Sequence, residues 1–408
     1  MAQTNKLKIF NDPIYGFIGT PNELIFNLIA HPYFQRLRRI SQMGLSYLVY
    51  PGAHHTRFHH ALGSMHLMRK AIEILRYKQV QITNDEENAL LCAILLHDIG
   101  HGPFSHALEF KIVPSLNHET ISLRFMEALD EEFSGSLRMA IDIYKGKHPK
   151  LFLNQLVSSQ LDMDRLDYLK RDSFFTGVHE GNINSERLLT MLNVSNNELV
   201  IEEKGLYSVE KFLMARRFMY WQVYLHKTSL VAEQLLIKVI DRAKGLMKSG
   251  KEIEASPTLL YFLKADGHSE FTLESLNTFA LLDDIDIISA LKIWQNNNDI
   301  ILAKLSTMLL NRELLHIKIK NKPLSKTKIA GKKEWVKKHF QLTDHEASYF
   351  VFEGVISNQA YDEIKGNINI LHKNGKLTDV ATASDHFNLK ALSTPVTKYY
   401  ACYPKDSV

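Results

Sequence analysis

The sequence has few cysteines, no long apolar run and only a small excess of positive charge. Of its 408 residues two are cysteines, Cys92 and Cys402, and neither has a close partner of the kind that a disulfide framework or zinc ribbon requires. No run of roughly 18 uncharged apolar residues appears, and the start lacks the layout of a signal peptide. We therefore expect a cytoplasmic protein that contacts no membrane, with both cysteines buried as small apolar side chains.

The net charge of +4 is small for this length, so it does not by itself indicate nucleic-acid binding. An anionic small molecule suits it equally well. With 45% hydrophobic and 23% charged residues, the composition is that of an ordinary globular protein. Histidine is the exception, because nine of the 19 histidines fall between His54 and His118. This crowding needs an explanation.

Hydrophobic spacing predicts a mainly α-helical fold. Residues 8–19 predict two short strands around an Asn-Asp-Pro turn, and Thr20 is the expected N-cap of the following helix, with Glu23 closing a capping box. Apolar residues then recur at three- and four-residue intervals as far as about residue 245. We therefore predict one helical domain over residues 1–245.

The pattern changes beyond residue 245. A linker containing lysine and glycine precedes two helical patterns, so residues 246–316 are predicted to form a helical linker region. Residues 317–408 begin with alternating apolar and lysine residues and contain Asn374-Gly375, a hairpin signal between strand-like flanks. We expect this segment to form a small α+β C-terminal region.

Chemically reactive side chains concentrate in three separated fragments, residues 57–60 (RFHH), 97–102 (HDIGHG) and 162–168 (DMDRLDY). In the second fragment, His97 and Asp98 end a buried apolar helix, where an imidazole and a carboxylate are costly to bury. A metal ion would remove this cost, and nitrogen and oxygen donors suit Mn, Fe, Ni, Zn or Co better than Mg. A His-Asp pair alone is weak evidence, because a capping histidine beside a surface carboxylate is commoner.

The third fragment predicts a helix with a mixed polar stripe. On an ideal helix, Asp164, Arg165, Tyr168 and Asp172 lie within about one third of the circumference. Such a stripe is either a solvated face or the wall of a polar pocket. The apolar residues beside it favour the pocket.

Together, the blocks FQRLRRISQMG, YPGAHHTRFHHALG, LLHDIGHGPFSHALE, NHE and LDMDRLDYLKRD resemble the HD-domain deoxynucleoside triphosphate triphosphohydrolases. The likeness covers residues 8–244 and is greatest to members with a SAM domain and to bacterial relatives; we expect no SAM domain here. It implies an HD-domain helical core and a bound divalent metal, with Mg as a further candidate. The family's ligand pattern falls on His60, His97, Asp98 and Asp164.

The resemblance also assigns residues around the metal. Those lining the α-phosphate are His101, His106, Glu109 and His118. Those binding the substrate are Gln42, Arg57, Arg165, Tyr168, Asp172, Arg216 and Tyr224. Relatives more often carry Asp at the position of Glu109 and often Lys at that of Arg165. Tyr220 and Leu225 stand at positions that are polar in some relatives, which leaves the base preference open.

Several of these residues also have purely structural interpretations. His101 and His106 could be hydrogen-bonded turn residues, Arg216 could belong to a solvated face, and Tyr168 is readily explained as a core residue. Four further histidines stay unassigned: His54, His55, His59 and His66.

The implied reaction is the hydrolysis of dNTPs to deoxynucleoside and inorganic triphosphate, by attack of metal-activated water on the α-phosphate. His106 or His118 would protonate the leaving 5′-oxygen, and the sequence does not choose between them. The resemblance further implies a homodimer or homotetramer. Through His226-Lys227, it also raises regulation by a nucleotide effector.

Two other functions remain open. One is an HD-type nucleotidase or phosphodiesterase that acts on another phosphoester. The other is a non-catalytic module that binds nucleotides or nucleic acid, which nine lysines between Lys318 and Lys338 favour. An edge strand protected by lysine explains these residues equally well. Because every ligand position holds a competent residue, we rank the binding module last.

Overall fold

The computed structural model describes residues 8–265, 270–361, 366–384 and 393–407. These residues form nineteen α-helices, nine strands and three sheets, which confirms the predicted mainly α fold. The helices are α1 Glu23–Ala30, α2 Pro32–Gln35, α3 Arg57–Tyr77, α4 Asn84–Leu96, α5 Ser105–Ile112, α6 His118–Glu132, α7 Arg138–Tyr144, α8 Leu151–Val157, α9 Met163–Thr176, α10 Ser185–Thr190, α11 Leu206–Met219, α12 Lys227–Lys248, α13 Pro257–Lys264, α14 Leu273–Phe279, α15 Asp284–Trp294, α16 Ile300–Leu310, α17 Lys326–Phe340, α18 Asp344–Ala347 and α19 Val380–Ala383. The strands are β1 Ile9–Asp12, β2 Gly16–Gly19, β3 Leu192–Ser195, β4 Glu198–Glu202, β5 His316–Lys320, β6 Phe352–Asn358, β7 Asn369–Leu371, β8 Leu377–Asp379 and β9 Val396–Tyr403.

The N-terminal hairpin forms as predicted, with β1 and β2 paired antiparallel. The predicted cap at Thr20 is wrong, because α1 begins after Asn22, whose side chain accepts a hydrogen bond from the Ile25 N–H at 2.9 Å. Thr20 instead extends the hairpin, since its N–H donates to the Lys8 carbonyl at 3.0 Å. Asparagine caps helices at least as well as threonine, which accounts for the shift.

Helix α4 is the centre of the core. Its start is fixed by a capping box, in which the Glu86 N–H donates to the Thr83 hydroxyl and the Thr83 N–H to the Glu86 carboxylate. Every residue from Ala89 to Leu96 is buried, because α3, α7 and α8 pack around the helix. Cys92 lies in this run, and the burial predicted for both cysteines is confirmed. The last buried turn of α4 delivers His97 to the edge of the core.

Helices α3 and α9 approach closely at Gly63. A Cβ atom added there would stand 2.0 Å from an Asp167 carboxylate oxygen and 2.2 Å from Arg171 Nη2. Both of these charged side chains are fully buried between the helices. Glycine therefore allows a contact that any larger residue would push apart.

The C-terminal segment is α+β, as predicted. β5, β9 and β6 form one antiparallel sheet, and β7 and β8 extend the β3-β4 hairpin into a second, with β7 parallel to β4. The turn predicted at Asn374-Gly375 joins β7 to β8. Since β7 pairs with β4, the C-terminal region predicted over residues 317–408 shares a sheet with the domain predicted over residues 1–245. The domain boundaries after residues 245 and 316 stay predictions.

Two of the nine clustered lysines lie on β5, an edge strand. Lys318 and Lys320 are exposed, while Ile317 and Ile319, which alternate with them, are partly buried. This alternation is the arrangement that protects an edge strand from pairing with another chain. Within the described residues, no helix combines the length and apolar character needed to cross a membrane.

We expect Gly63→Ala to destabilise the protein by at least about 1–3 kcal/mol, because the methyl group overpacks the contact between α3 and α9. The measurement is chemical denaturation followed by circular dichroism. The matched control is Gly245→Ala on α12, where a Cβ meets no atom within 4 Å. That change should stabilise the helix by about 0.5–1 kcal/mol. Equal stability of both variants would contradict the packing account.

Candidate active site

Three chain segments bring the four predicted metal ligands together. His60 lies in the first turn of α3, and His97 and Asp98 follow the last turn of α4. Asp164 lies in the first turn of α9, whose start is fixed by the Asp162 side chain accepting from the Arg165 N–H at 2.7 Å. The ligands therefore stand where rigid helices begin or end.

Ligand atoms of His60, His97 and Asp164 lie close together as one group, and Asp98 presents one carboxylate oxygen to each of the two imidazoles. His60 Nε2 lies 3.1 Å from Asp164 Oδ1 and 3.7 Å from Asp98 Oδ2. His97 Nε2 lies 3.4 Å from Asp98 Oδ1 and 3.5 Å from Asp164 Oδ1. Ligands about 2.0–2.2 Å from a shared ion would stand about 2.8–3.6 Å apart in octahedral or tetrahedral geometry. Three of the four observed spacings fall in this range, and the fourth, between His60 Nε2 and Asp98 Oδ2, lies just above it at 3.7 Å.

Both imidazoles are oriented with Nε2 towards the carboxylates of this group. His60 Nδ1 lies 2.8 Å from Asp167 Oδ2, and His97 Nδ1 lies 2.6 Å from the Ile94 carbonyl oxygen. Each acceptor keeps the proton on Nδ1, so the Nε2 lone pair is left for a metal. Both Nε2 atoms are buried and make no well-aligned hydrogen bond to a described residue. The residues present therefore fit a divalent ion.

The electrostatic field among these ligands favours positive charge. Burial opposes protonation of His60, but the adjacent carboxylates of Asp164 and Asp167 outweigh it and raise the pKa of His60 to about 10. Burial by itself would raise the pKa of Asp98. The neighbouring His97, His101 and Arg57 outweigh burial and hold that pKa well below its usual range. A cation that displaces the His60 proton would gain the same attraction.

A second group that could hold a metal consists of Asp98, His101 and His118. His101 Nε2 lies 3.2 Å from Asp98 Oδ1, and the His101 ring stacks on that of His118 at 4.0 Å between centroids. Burial, followed by the charge of Arg57, lowers the pKa of His101 well below its usual value. Burial therefore favours the neutral form of the His101 ring.

Glu109 and His118, two of the residues predicted to line the α-phosphate, contact each other, and Glu109 holds His118 in place. A single Glu109 carboxylate oxygen lies 2.5 Å from His118 Nδ1 and accepts from the His118 backbone N–H at 2.9 Å. The fourth such residue, His106, has its backbone in α5, but its side chain lies outside the described part of the structure.

The ligand cluster opens into a cleft of about 520 Å³. This volume is within the range that holds a small ligand, roughly 300–1,000 Å³. The lining residues that were predicted to bind substrate are Gln42, Arg57, Arg165, Tyr168, Asp172 and Tyr224. Arg216 does not line it, because its buried guanidinium donates to the Gln160 side chain at 3.0 Å.

Three of the charged lining residues are paired within the protein. Arg57 donates to Asp98 at 2.5 Å, and Arg165 donates to Asp162 at 2.6 Å. Asp172 uses both carboxylate oxygens, since His55 Nε2 and the Tyr224 hydroxyl each lie 2.7 Å from one of them. These pairs fix the side chains before any substrate arrives.

A short π-helical segment, Tyr220–Tyr224, forms one wall of the cleft. Its signature is the hydrogen bond from the Leu225 N–H to the Tyr220 carbonyl, five residues earlier, at 2.8 Å. The Tyr220 and Tyr224 ring centroids lie 5.2 Å apart in an edge arrangement. Such π turns are frequent at functional sites.

Sequence reasoning missed three residues of the site. Asp167 supports His60 and could have been found, because it follows Asp164 by one helical turn. His55 supports Asp172, but nothing in the sequence pairs these two residues. Glu233 on α12 lines the cleft without a motif to mark it.

Glu233 makes no hydrogen bond or ion pair with any residue that the structure describes. Burial alone raises the pKa of its carboxyl group to about 7. Glu233 therefore differs from Arg57, Arg165 and Asp172, each of which has a partner within the protein.

We expect Asp167→Asn to weaken metal binding by about 10- to 100-fold, because the amide gives the His60 imidazole a weaker acceptor. Competition of the purified protein with a chelator for Mn²⁺ measures the affinity. Asp85→Asn on the exposed start of α4 is the control and should leave it unchanged. If the folded Asp167→Asn protein bound Mn²⁺ with unaltered affinity, the proposed role of Asp167 in orienting His60 would be refuted.

Glu233→Gln should raise the thermal stability of the protein at alkaline pH. Because folding raises the pKa of Glu233 from 4.5 to about 7, its contribution is fully present below 4.5 and is lost as the pH rises through 7. The variant should therefore melt a few degrees above the native protein near pH 8, and at nearly the same temperature as the native protein near pH 4. If the difference in melting temperature between the variant and the native protein were the same at both pH values, the carboxyl group would be well solvated.

Two family models match the chain. The model of the HD domain matches residues 57–172, and that of the HD associated region matches residues 183–255. The first match contains all four predicted ligands. The second contains the π-helical wall and Glu233.

Curated relatives include the uncharacterized protein YwfO of Bacillus subtilis, which is 32% identical over 98% of this chain and 93% of its own length. The deoxynucleoside triphosphate triphosphohydrolase SAMHD1 homolog of Dictyostelium discoideum is 31% identical over 60% of this chain. That match spans 51% of the Dictyostelium protein, so the chain corresponds to about half of this relative.

Among solved structures, a phosphohydrolase from Bacteroides thetaiotaomicron superposes with a TM-score of 0.95 and is 49% identical. The match covers 98% of this chain and 100% of that one. These findings confirm the family resemblance on which the sequence interpretation rested. The chain belongs to the HD-domain phosphohydrolases.

Proposed function

We propose that the chain hydrolyses dNTPs to deoxynucleoside and inorganic triphosphate in a divalent-metal-dependent reaction. The observation that carries this proposal is the convergence of His60, His97, Asp98 and Asp164 in one part of a nucleotide-sized cleft. The name of the Dictyostelium relative supports the same reaction.

The four convergent residues would hold Mn, Fe, Ni, Zn, Co or Mg. A bound divalent ion supplies Lewis-acid chemistry, which activates water at neutral pH and offsets phosphate charge. Arg57 and Arg165 would neutralise the triphosphate, since each guanidinium has five N–H donors and spends only some of them on protein partners. The second group able to hold a metal would sit beside the same phosphates.

His118 is our candidate for the acid that protonates the leaving 5′-oxygen. Its contact with the Glu109 carboxylate keeps a proton on Nδ1 and leaves Nε2 for the substrate. His106 keeps the same role as an alternative.

The sugar would lie against Tyr168, with its 3′-hydroxyl on Asp172. The contacts of Asp172 with His55 and Tyr224 hold its carboxylate at a fixed angle. A carboxylate accepts about four hydrogen bonds, so these two contacts leave room for a sugar hydroxyl. The family resemblance further supports a homodimer or homotetramer and a nucleotide effector.

A nucleotidase or phosphodiesterase is the second candidate, and one observation favours it. The group formed by Asp98, His101 and His118 could hold a second metal beside the first. Two neighbouring metals are common in enzymes that cleave phosphomonoesters and phosphodiesters.

To test the proposal, we would incubate the protein with each dNTP and Mn²⁺ and separate the products by chromatography. We expect intact triphosphate and deoxynucleoside, and loss of at least about 10³-fold in activity for His97→Ala, which removes a ligand. His54→Ala, an exposed histidine of the same stretch, should retain full activity. Release of monophosphate and pyrophosphate would contradict the proposal, and turnover of monophosphates or cyclic nucleotides alone would favour the second candidate.

A further inference from the structure

The N-terminal hairpin reaches the buried charges beside the candidate metal centre. Asp12, the last residue of β1, is 7% exposed, and its Oδ2 accepts a hydrogen bond from Arg171 Nη1 at 2.8 Å. The ring centroid of Tyr15, in the turn that follows, lies 5.7 Å from the central carbon of the Arg171 guanidinium. Arg171 is fully buried on α9. A short two-stranded element therefore supplies a charged group to the interior of the helical core.

Arg171 links Asp12 to the candidate ligand His60. Its Nε and Nη2 donate to the two carboxylate oxygens of Asp167, at 2.9 and 3.0 Å. The Asp167 oxygen that accepts from Nε also lies 2.8 Å from His60 Nδ1. On the other side of the same ring, His60 Nε2 faces the remaining candidate ligands. Three successive contacts thus connect the hairpin to the candidate metal centre.

Two carboxylates share this one guanidinium. Asp12 and Asp167 each bring one negative charge and Arg171 one positive charge, so the three groups together are negative. Without the charge of Asp12, Asp167 alone would compensate Arg171, and the three groups together would be neutral. Charges buried to this degree are weakly screened, so the difference would be felt by a cation on the far side of the His60 ring. The negative charge behind His60 therefore depends on Asp12.

We propose that Asp12 is a positioning residue of the candidate metal centre. It compensates Arg171, so that the Asp167 carboxylate stays available to orient the His60 ring and to favour a cation at Nε2. This inference rests on the proposed function in one respect, because it takes a divalent ion to occupy the centre. Its test measures metal binding, whereas the proposed function is tested by turnover.

The first variant is Asp12→Asn, which removes the charge and keeps the shape. Asparagine retains the side-chain oxygen that accepts from the N–H groups of Ile14 and Tyr15 at 2.9 and 3.0 Å, so the turn of the hairpin should persist. We expect the affinity for Mn²⁺, measured by competition with a chelator, to fall about tenfold. Asp85→Asn, the same change at an exposed carboxylate of α4, should bind Mn²⁺ as the native protein does.

A second variant separates charge from packing. Combining Asp12→Asn with Arg171→Gln removes one charge of each sign, so the charge of Asp167 again stands uncompensated behind His60. We expect this double variant to recover an Mn²⁺ affinity within about threefold of the native value, although it should unfold more easily. If Asp12 acted only through packing, the second substitution would weaken metal binding further.

Asp12→Glu provides the same distinction with one substitution, should the double variant fail to fold. Glutamate keeps the negative charge, so we expect the Mn²⁺ affinity of this variant to exceed that of Asp12→Asn by about threefold or more. Melting curves would verify that each variant is folded. Equal affinities of Asp12→Glu and Asp12→Asn would contradict a role for the charge.

Native Mn²⁺ affinity in folded Asp12→Asn protein would overturn the inference, as would a double variant that binds Mn²⁺ more weakly than Asp12→Asn. Normal dNTP hydrolysis together with an Mn²⁺ affinity unaffected by Asp12→Asn would overturn this inference and leave the proposed function standing. An Mn²⁺ affinity that depends on the charge of Asp12, in a protein that cleaves no dNTP, would support the inference and defeat the proposed function.

Discussion

Asp167 is a fully buried carboxylate between α3 and α9, and the candidate metal centre depends on how its charge is compensated. It accepts hydrogen bonds from His60 Nδ1 on α3 and from the Arg171 guanidinium on α9, at 2.8–3.0 Å. Arg171 then donates to Asp12 of β1 at 2.8 Å. An unpaired charge at this depth would cost several kcal/mol, so these partners specify one arrangement of the two helices and the hairpin. His60 is fixed as a consequence.

The segment beyond residue 245 stabilises the loop that carries His97 and Asp98. The fully buried Arg36 donates to the carbonyls of Ile99 at 2.7 Å and Leu282 at 3.2 Å. Asp284 accepts from the backbone N–H of Phe104 at 3.0 Å. Phe104 has a φ of 43°, a left-handed conformation that costs a bulky residue about 1–2 kcal/mol. The contact from α15 offsets this strain, so the helical region after the HD core supports the geometry of the site.

The sequence predicted best what depends on local patterns. The helical core, the hairpin at Asn374-Gly375 and the convergence of His60 with Asp164 follow from spacing and from motifs that keep their order along the chain. Partnerships across the fold were less accessible, because hydrophobic spacing does not determine which polar groups meet. Arg216 illustrates this limit, since its bond to Gln160 connects two segments that no motif relates.

Pairing inside the cleft explains why so few of its residues are free to discriminate among substrates. Side chains such as Arg57 and Asp172 are held by partners that set their direction, so a substrate finds them oriented and little freedom is lost on binding. In the proposed reaction every dNTP presents the same phosphates and sugar, and preset groups suffice for them. The base is what varies, and discrimination there requires a group whose hydrogen bonds are not already used within the protein.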